Sequence, residues 1–91
     1  MGIEMRFRDI LVRKEERYSI GVEELTGRYY LSIPVANNLV DYEEYYEINK
    51  EEFDAFNVSV VAVAEFVQQC RNRKQDNRLM MKPGKDRGVA M

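Results

Sequence analysis

RYYLSIPVANNLVDYEEYYEI, at residues 28–48, decides the fold, because its residues pair off when the segment is folded as a hairpin. With residues 36–39 as the loop, Val35 lies opposite Val40. The pairs that follow from this register are Tyr30 with Tyr45, Tyr29 with Tyr46, Ile33 with Tyr42, and Arg28 with Glu47. One side of the hairpin then collects aliphatic residues and rings, and the other collects a tyrosine pair, carboxylates and one arginine. The segment therefore predicts two antiparallel strands with distinct faces.

A second turn, at Thr26-Gly27, predicts another antiparallel pair with the same division of faces. If Leu25 pairs with Arg28, the resulting apolar face consists of Ile20, Val22, Leu31, Ile33, Val35, Tyr42, Tyr46 and Ile48. Both turns agree on this face, and a slip by one residue in either would invert it. Glu24 and Glu44 also fall on the apolar side, so we expect both at a margin of the sheet where water reaches them.

The N-terminal segment predicts a further strand. Ile3, Met5 and Phe7 alternate with charged residues, as in a half-buried strand. Residues 9–17 leave two possibilities, because the apolar run within them either extends the strand past a bulge or forms a short helical turn. The sheet therefore has three or four strands.

Two helix starts follow the strands. Asn49 with Glu52 three residues later is a capping pattern, and Ser59 begins a second helix. An apolar stripe at helical spacing includes Phe53, Phe56, Val60, Val61, Val63, Ala64, Phe66, Val67 and Cys70. The predicted fold is therefore α+β: a three- to four-stranded antiparallel β-meander with one face covered by a C-terminal helical region.

The end of the chain has a different composition. Residues 1–75 are expected to form a single domain, and residues 76–91 a basic, disordered tail. Within that tail Leu79, Met80 and Met81 form an apolar island that could dock on the body or on a second copy.

Composition narrows the possible functions of this chain of 91 residues. Histidine is absent, which removes the serine–histidine triad, the imidazole base and nearly every catalytic zinc site. Cys70 is the one cysteine, and we expect a buried thiol rather than a nucleophile. No apolar run reaches membrane-spanning length and no signal-peptide pattern is present. The expectation is a soluble, cytoplasmic protein without enzymatic activity or a cofactor.

The net charge of the chain is −2, but acidic and basic residues are concentrated in different segments. Residues 15–70 carry twelve acidic and three basic side chains, a net charge of −9. Residues 71–91 carry seven basic and two acidic side chains, a net charge of +5. An acidic body with a basic end can attract itself, another copy, or separate partners at each end.

The polar side of the sheet, called here the outward face, is the main candidate site. The predicted register places Tyr30 and Tyr45 at its centre, surrounded by Glu23, Glu43, Glu47 and Arg28. Gly21, expected opposite Ser32, would leave a gap for close approach of another backbone. Tyrosines among carboxylates suit a basic partner through cation–π contacts and ion pairs. We therefore predict binding of a protein partner or of a second copy in a homodimer, against the alternative of an ordinary solvated sheet face.

The carboxylates of this face are not expected to bind a metal. Successive side chains on one side of a strand lie about 6.6–7 Å apart, too far for Asp41, Glu43 and Glu47 to hold one ion together. No calcium-loop pattern is present, and a small sheet offers little of the concavity that carboxylate catalysis requires.

Nucleic-acid binding is the alternative function. It would use the basic residues near the C-terminus, namely Arg71, Arg73, Lys74, Arg78 and Lys82. These could contact phosphates, but no aromatic residue is interleaved with them for base stacking. The acidic body would also repel the nucleic-acid backbone, so this alternative is disfavoured.

The run VEELTGRYYLSIPVANNLVDYEEYYEI, followed by a capped helix and EFVQQCRNRKQDNRL, resembles small uncharacterised bacterial proteins of about this length. That resemblance implies no particular activity. In size and surface chemistry the chain is also similar to the acidic immunity proteins of bacterial toxin systems. This looser similarity implies a role in blocking a basic enzyme with acidic and tyrosine side chains.

Overall fold

The computed structural model describes residues 5–84 and 87–91, which adopt the α+β fold predicted from the sequence. Four strands form an antiparallel sheet in the order β1-β2-β3-β4. Their bounds are β1 Phe7–Arg13, β2 Tyr18–Glu23, β3 Arg28–Ala36 and β4 Asp41–Ile48. Two helices follow, α1 Lys50–Val58 and α2 Val60–Arg71, and then a 3-10 turn at Asp76–Arg78 and a short strand β5, Val89–Ala90.

Both hairpins differ from the predicted register by two residues. Tyr45 lies opposite Ser32 rather than Tyr30, and Arg28 lies opposite Glu23 rather than Leu25. Since side chains alternate with a period of two, this shift leaves every residue on its predicted face. The β3–β4 loop starts one residue later than expected because the Asn37 side chain accepts the amides of Leu39 and Val40, both at 2.8 Å.

Residues 9–17, left open by the sequence, form the end of β1 and the turn into β2. The register shifts between Asp9 and Leu11, which is the bulge that the sequence allowed. Arg17 closes the turn with a φ of 60°, in the left-handed region. Ile3, expected at the start of this strand, lies outside the described residues.

The core lies between the apolar face of the sheet and the two helices. It contains Tyr18, Ile20, Leu31, Ile33, Val35, Tyr46 and Ile48 from the strands, with Phe53, Phe56, Val63, Phe66, Val67 and Cys70 from the helices. Both predicted caps are confirmed: Asn49 accepts the amide of Glu52 at 2.7 Å, and Ser59 accepts that of Ala62 at 3.2 Å. The apolar stripe of α2 is narrower than predicted, because the side chain of Val61 is 86 % exposed. No helix in the described part of the chain has the length and apolar character needed to cross a bilayer.

Glu44 departs from the prediction of a water-exposed margin. It lies on the apolar face as predicted, but it is buried, and both of its carboxylate oxygens accept from the Arg87 guanidinium at 2.8 and 3.0 Å. The Tyr46 hydroxyl donates to the same carboxylate at 3.1 Å. A buried carboxylate is tolerated here because a cation and hydrogen-bond donors compensate its charge.

In the described part of the segment 76–91, which is expected from the sequence to be a disordered tail, several residues contact the sheet. Met80 donates its amide to the carbonyl of Tyr45 at 2.9 Å, and Leu79 packs against the core, so the apolar island docks along β4. Strand β5 pairs with β3 at Val35–Ala36, where β2 no longer reaches. These contacts join residues that are far apart in the chain. The composition of the segment alone therefore does not predict them.

Candidate functional site

The outward face is built around three rings, from strands β1, β3 and β4, that contact one another. Phe7 from β1 stacks on Tyr45 from β4 with centroids 3.6 Å apart and planes at 9°. Tyr30 from β3 meets both rings edge to face, at 5.3 Å from Phe7 and 5.0 Å from Tyr45. We call Phe7, Tyr30 and Tyr45 the aromatic triad. The two edge-to-face contacts of Tyr30 have the distances that aromatic pairs prefer, whereas Phe7 and Tyr45 lie almost directly face to face.

Tyr30 is the buried member of the triad. Its side chain is completely inaccessible to solvent, and its hydroxyl donates to Asp9 Oδ1 at 2.5 Å. Burial, and then the hydrogen bond to Asp9, raise the pKa of this phenol above its ordinary value. Tyr30 therefore does not offer the exposed contact surface expected of a partner-binding anchor.

Gly21 explains how Tyr30 reaches this position. The glycine lies opposite Tyr30 in the sheet, rather than opposite Ser32 as expected. A Cβ at residue 21 would come within 2.6 Å of the Tyr30 hydroxyl and 2.1 Å of the Arg8 carbonyl oxygen. The gap expected for a ligand or a partner backbone is therefore occupied by the protein's own tyrosine and by the edge strand.

Glu23 is also enclosed rather than presented to a partner. Its carboxylate accepts hydrogen bonds from the Thr26 hydroxyl at 2.6 Å and from the amides of Arg6, Leu25 and Thr26 at 2.8–3.1 Å. The Thr26 hydroxyl, followed by the Arg6 amide, makes the largest contribution to lowering the pKa of Glu23 to about 2. This carboxylate stabilises the β2–β3 turn and ties the start of β1 to it, which is a structural role.

Four of the predicted partner-binding residues remain accessible. Tyr45 and Glu43 are half-buried, and Arg28 and Glu47 are exposed. Burial raises the pKa of Glu43, although a hydrogen bond with Ser32 opposes this effect. Arg28 Nη1 lies 3.6 Å from Glu47 Oε1 across neighbouring strands, near the predicted pairing of these two residues. The structure thus keeps Tyr45 with Glu43 at the centre of the accessible surface and the Arg28–Glu47 pair beside it.

Phe7 and Asp9 belong to this face but were not predicted as part of it. The sequence could have assigned both residues to this face. Phe7 pairs with Glu23 and Asp9 with Gly21, and paired residues lie on the same side of a sheet. The missing information was the pairing of β1 with β2, because the sequence left residues 9–17 undecided between strand and helix.

The basic residues of the nucleic-acid alternative are partly engaged within the fold. Arg78 contacts Glu52 at 2.9 Å and lies over the Phe66 ring at 5.0 Å. Arg73 donates to the carbonyl of Gly88 at 2.9 Å. Lys74 and Lys82 are exposed, and Arg71 is half-buried. Among the described residues, the side chains of three of the five predicted cations therefore have no described hydrogen bond or ion pair.

Metal and thiol chemistry receive no geometric support from the described residues. Residues 5–84 and 87–91 contain no group of three or more acidic or cysteine side chains placed to hold an ion. Cys70 is buried as predicted, and burial raises the pKa of its thiol to about 12. A thiol with this pKa is almost fully protonated at neutral pH and is a poor nucleophile.

The outward face thus combines a fixed aromatic surface with carboxylates and one exposed ion pair. In a comparison of the chain with known proteins, no protein-family model, no curated protein and no solved structure matches it.

Proposed function

We propose that this protein is a non-enzymatic interaction module that binds a basic segment of a partner protein through the accessible part of its outward face. The observation that carries the proposal is the setting of Tyr45. Its half-exposed ring is stacked on Phe7 and braced edge-on by Tyr30. A ring held in this way loses little conformational entropy on binding, which is the property that makes tyrosine effective at interfaces.

Charge supports a basic rather than an acidic partner. Glu43 lies beside Tyr45, and Asp41, Asp9 and Glu47 are exposed on the same side of the sheet. A lysine or arginine that approaches Tyr45 gains an ion pair with Glu43, together with a cation–π contact worth about 0.5–2 kcal/mol. The acidic body, with a net charge of −9 over residues 15–70, steers such a partner toward the face.

The structure changes the roles of the two tyrosines in this proposal. Tyr45 contacts the partner, and Tyr30 supports Tyr45 from beneath without contact of its own. Glu23 likewise holds the turn. The residues proposed to touch the partner are Tyr45, Glu43, Glu47 and Arg28, with Asp9 added by the structure.

The test uses a Tyr45→Ala/Glu43→Gln variant and a matched control. The control, Val61→Ala/Glu51→Gln, also removes one apolar side chain and one charge, but from exposed positions on the helices. Proteins captured from a lysate by the intact chain, with nuclease present throughout, would be identified and then titrated individually. We expect the face variant to bind at least about tenfold more weakly, as removal of a central aromatic anchor usually does. Equal binding by the face variant and the intact chain would contradict the proposal.

The partner that binds the outward face could also be a second copy of this chain. If the intact chain captures only its own copy, sedimentation should show a dimer that the face variant loses and the control retains. Nucleic-acid binding remains the alternative and makes an opposite prediction. It requires affinity that falls steeply with salt and depends on Lys74 and Lys82, with no effect of Tyr45.

A further inference from the structure

The edge of β4 that faces away from β3 is partly covered by the chain itself. Met80 donates its amide to the Tyr45 carbonyl at 2.9 Å, and Arg78 Nη1 donates to the Glu47 carbonyl at 3.2 Å. An isolated antiparallel bridge joins the same two segments. This part of the edge therefore already accepts a short segment of chain in the manner of an added strand.

The same edge is open at Glu43. Backbone groups of alternate residues in an antiparallel strand point to the same edge, so the amide and carbonyl of Glu43 point away from β3, as the Tyr45 carbonyl does. In the part of the chain that the structure describes, neither group has a described hydrogen bond on this edge. Unpaired backbone groups along a sheet edge form a template for another strand.

A gap of about 360 Å³ lies beside this open stretch. Tyr42, Glu43 and Tyr45 line it from β4, and residues 81–84 line it from the other side. The C-terminal segment thus leaves the edge after Met80 instead of continuing along it. A gap of this size holds a short stretch of extended chain rather than a folded domain.

Charge within the gap favours a lysine or arginine opposite Glu43. The buried Glu44 is compensated by Arg87, whereas the half-buried carboxylate of Glu43 has no ion pair among the described residues. Side chains directly opposite each other on paired strands share a face and lie about 4.5–5.5 Å apart, and diagonal neighbours about 7–8 Å apart. A cationic side chain opposite Glu43 therefore reaches that carboxylate on the outward face, with the Tyr45 ring as its diagonal neighbour.

The edge of β1, at the other end of the sheet, is less suited to a basic strand. Its register shifts between Asp9 and Leu11, and a bulge of this kind interrupts the row of backbone groups. The basic side chains of Arg8 and Arg13 lie on either side of the shift and oppose the approach of further positive charge. The β4 edge is therefore the one that fits a basic segment.

We propose that an extended basic segment of the partner adds to β4 at Glu43 as an antiparallel strand, with a lysine or arginine opposite Glu43. This inference rests on the function proposed above and names how the partner is recognised. Hydrogen bonds to the Glu43 backbone hold the segment, and its alternate side chains meet the acidic outward face.

The probe is a short synthetic peptide in which lysine alternates with valine, titrated into the full chain and followed by amide NMR signals. The control peptide has N-methyl groups on its lysine amides, which keeps the charge and the side chains but removes the donors that would face β4. We expect the unmodified peptide to bind at least about tenfold more tightly, because the control loses the backbone hydrogen bonds. At saturation the Glu43 amide should become protected from hydrogen exchange.

Lys82 provides a test in which binding improves. It is exposed and is the one basic side chain among the described residues that line the gap, so its charge opposes a cation of the peptide. Lys82→Gln should therefore bind the unmodified peptide at least about twofold more tightly. Lys74→Gln is the matched control, since it removes the same charge from an exposed position outside the gap, and it should bind like the intact chain. A gain of affinity cannot result from a loss of folding.

Equal binding of the two peptides, or a Glu43 amide that stays unprotected, would overturn strand addition. Either result would leave binding through the side chains of Tyr45 and Glu43 in place. The inference is also overturned if neither peptide binds, or if Lys82→Gln and Lys74→Gln bind the unmodified peptide equally well. The function proposed above is tested separately, by the capture experiment with Tyr45→Ala/Glu43→Gln.

Discussion

Arg87 and Glu44 are 43 residues apart in the chain, yet they form a bidentate ion pair, with Nε–Oε2 at 2.8 Å and Nη2–Oε1 at 3.0 Å. The same guanidinium donates to both oxygens of Asp76 at 2.7 and 2.9 Å. The hydrogen bonds from Arg87 lower the pKa of Asp76. One arginine thus compensates a carboxylate on the apolar face and anchors the C-terminal segment to the sheet.

Replacing Arg87 should therefore destabilise the protein strongly. Arg87→Gln leaves Glu44 charged and buried, and removing one partner of a buried pair costs about 3–5 kcal/mol. Urea unfolding would measure the loss. Lys50→Gln is the control, because its ion pair with Asp54 is exposed to solvent and should contribute little to stability. The double variant Glu44→Gln/Arg87→Gln should recover part of the lost unfolding free energy, because it also removes the unpaired buried carboxylate. If the double variant is no more stable than Arg87→Gln, the unpaired charge is not the cause of the loss.

Glu23 should make stability depend on pH in the acid range. Its folded-state pKa of about 2 lies below the value of a free glutamate, so its stabilising contribution is complete above the unfolded pKa near 4.5. The contribution is lost as pH falls through the range from about 4.5 to 2. The difference in unfolding free energy between the intact chain and Glu23→Gln should therefore be largest at neutral pH and shrink toward pH 2. A difference that does not vary between pH 5 and 2 would contradict the assignment.

Gly21 should not tolerate even one added methyl group. Gly21→Ala places a Cβ within 2.1 Å of the Arg8 carbonyl oxygen, and such overpacking costs about 1–3 kcal/mol or more. Gly84→Ala is the matched control, because nothing lies within 4 Å of its added Cβ. Thermal unfolding should show a lowered midpoint for Gly21→Ala only. Equal midpoints would mean that β1 moves away from β2 at no cost.

Tyr30→Phe should isolate the value of one hydrogen bond. The variant retains the ring contacts with Phe7 and Tyr45 but loses the bond to Asp9. A hydrogen bond to a charged group contributes about 1.5–3 kcal/mol, so the loss should fall at or below the lower end because Asp9 is exposed. Urea unfolding measures this change, and partner binding should be unaffected. Loss of binding without loss of stability would show that the Tyr30 hydroxyl, or the Asp9 carboxylate that it holds, takes part in binding.

Cys70 should report on unfolding. Burial raises the pKa of its thiol to about 12, and the side chain is 1 % exposed. A disulfide reagent at pH 8 should therefore react with the native protein only as fast as the helix opens, and at the rate of a free thiol in denaturant. Rapid reaction of the native chain would show that the C-terminal part of α2 opens readily.

The division of the sheet into two faces was predictable from the sequence because alternation has a period of two. Ile20, Leu31 and Ile33 are buried on the predicted side, and both helix caps lie at the predicted residues. The absolute register was not predictable on the same grounds. A shift of two residues preserves the alternation. The observed registers are accompanied by the hydrogen bonds of Asn37 in the β3–β4 loop and of Glu23 in the β2–β3 turn.

The candidate site was predicted less completely than the fold. Tyr45, Glu43, Glu47 and Arg28 are accessible, but Tyr30 and Glu23 are enclosed by contacts from β1. Alternation assigns a residue to a face and says nothing about what covers that face. Since β1 pairs with β2 and its Phe7 and Asp9 side chains contact Tyr30 on this side of the sheet, exposure depended on a strand whose conformation the sequence left open.

By itself, then, the sequence determined what local patterns encode: strand faces, turn positions, helix caps and the separation of charge along the chain. The tertiary structure alone decided the burial of Tyr30, the enclosure of Glu23 and the docking of the C-terminal segment through Arg87. The physical reason is distance along the chain. Contacts such as Arg87 with Glu44 or Tyr30 with Asp9 join residues more than twenty positions apart, and no repeating local pattern carries their signal.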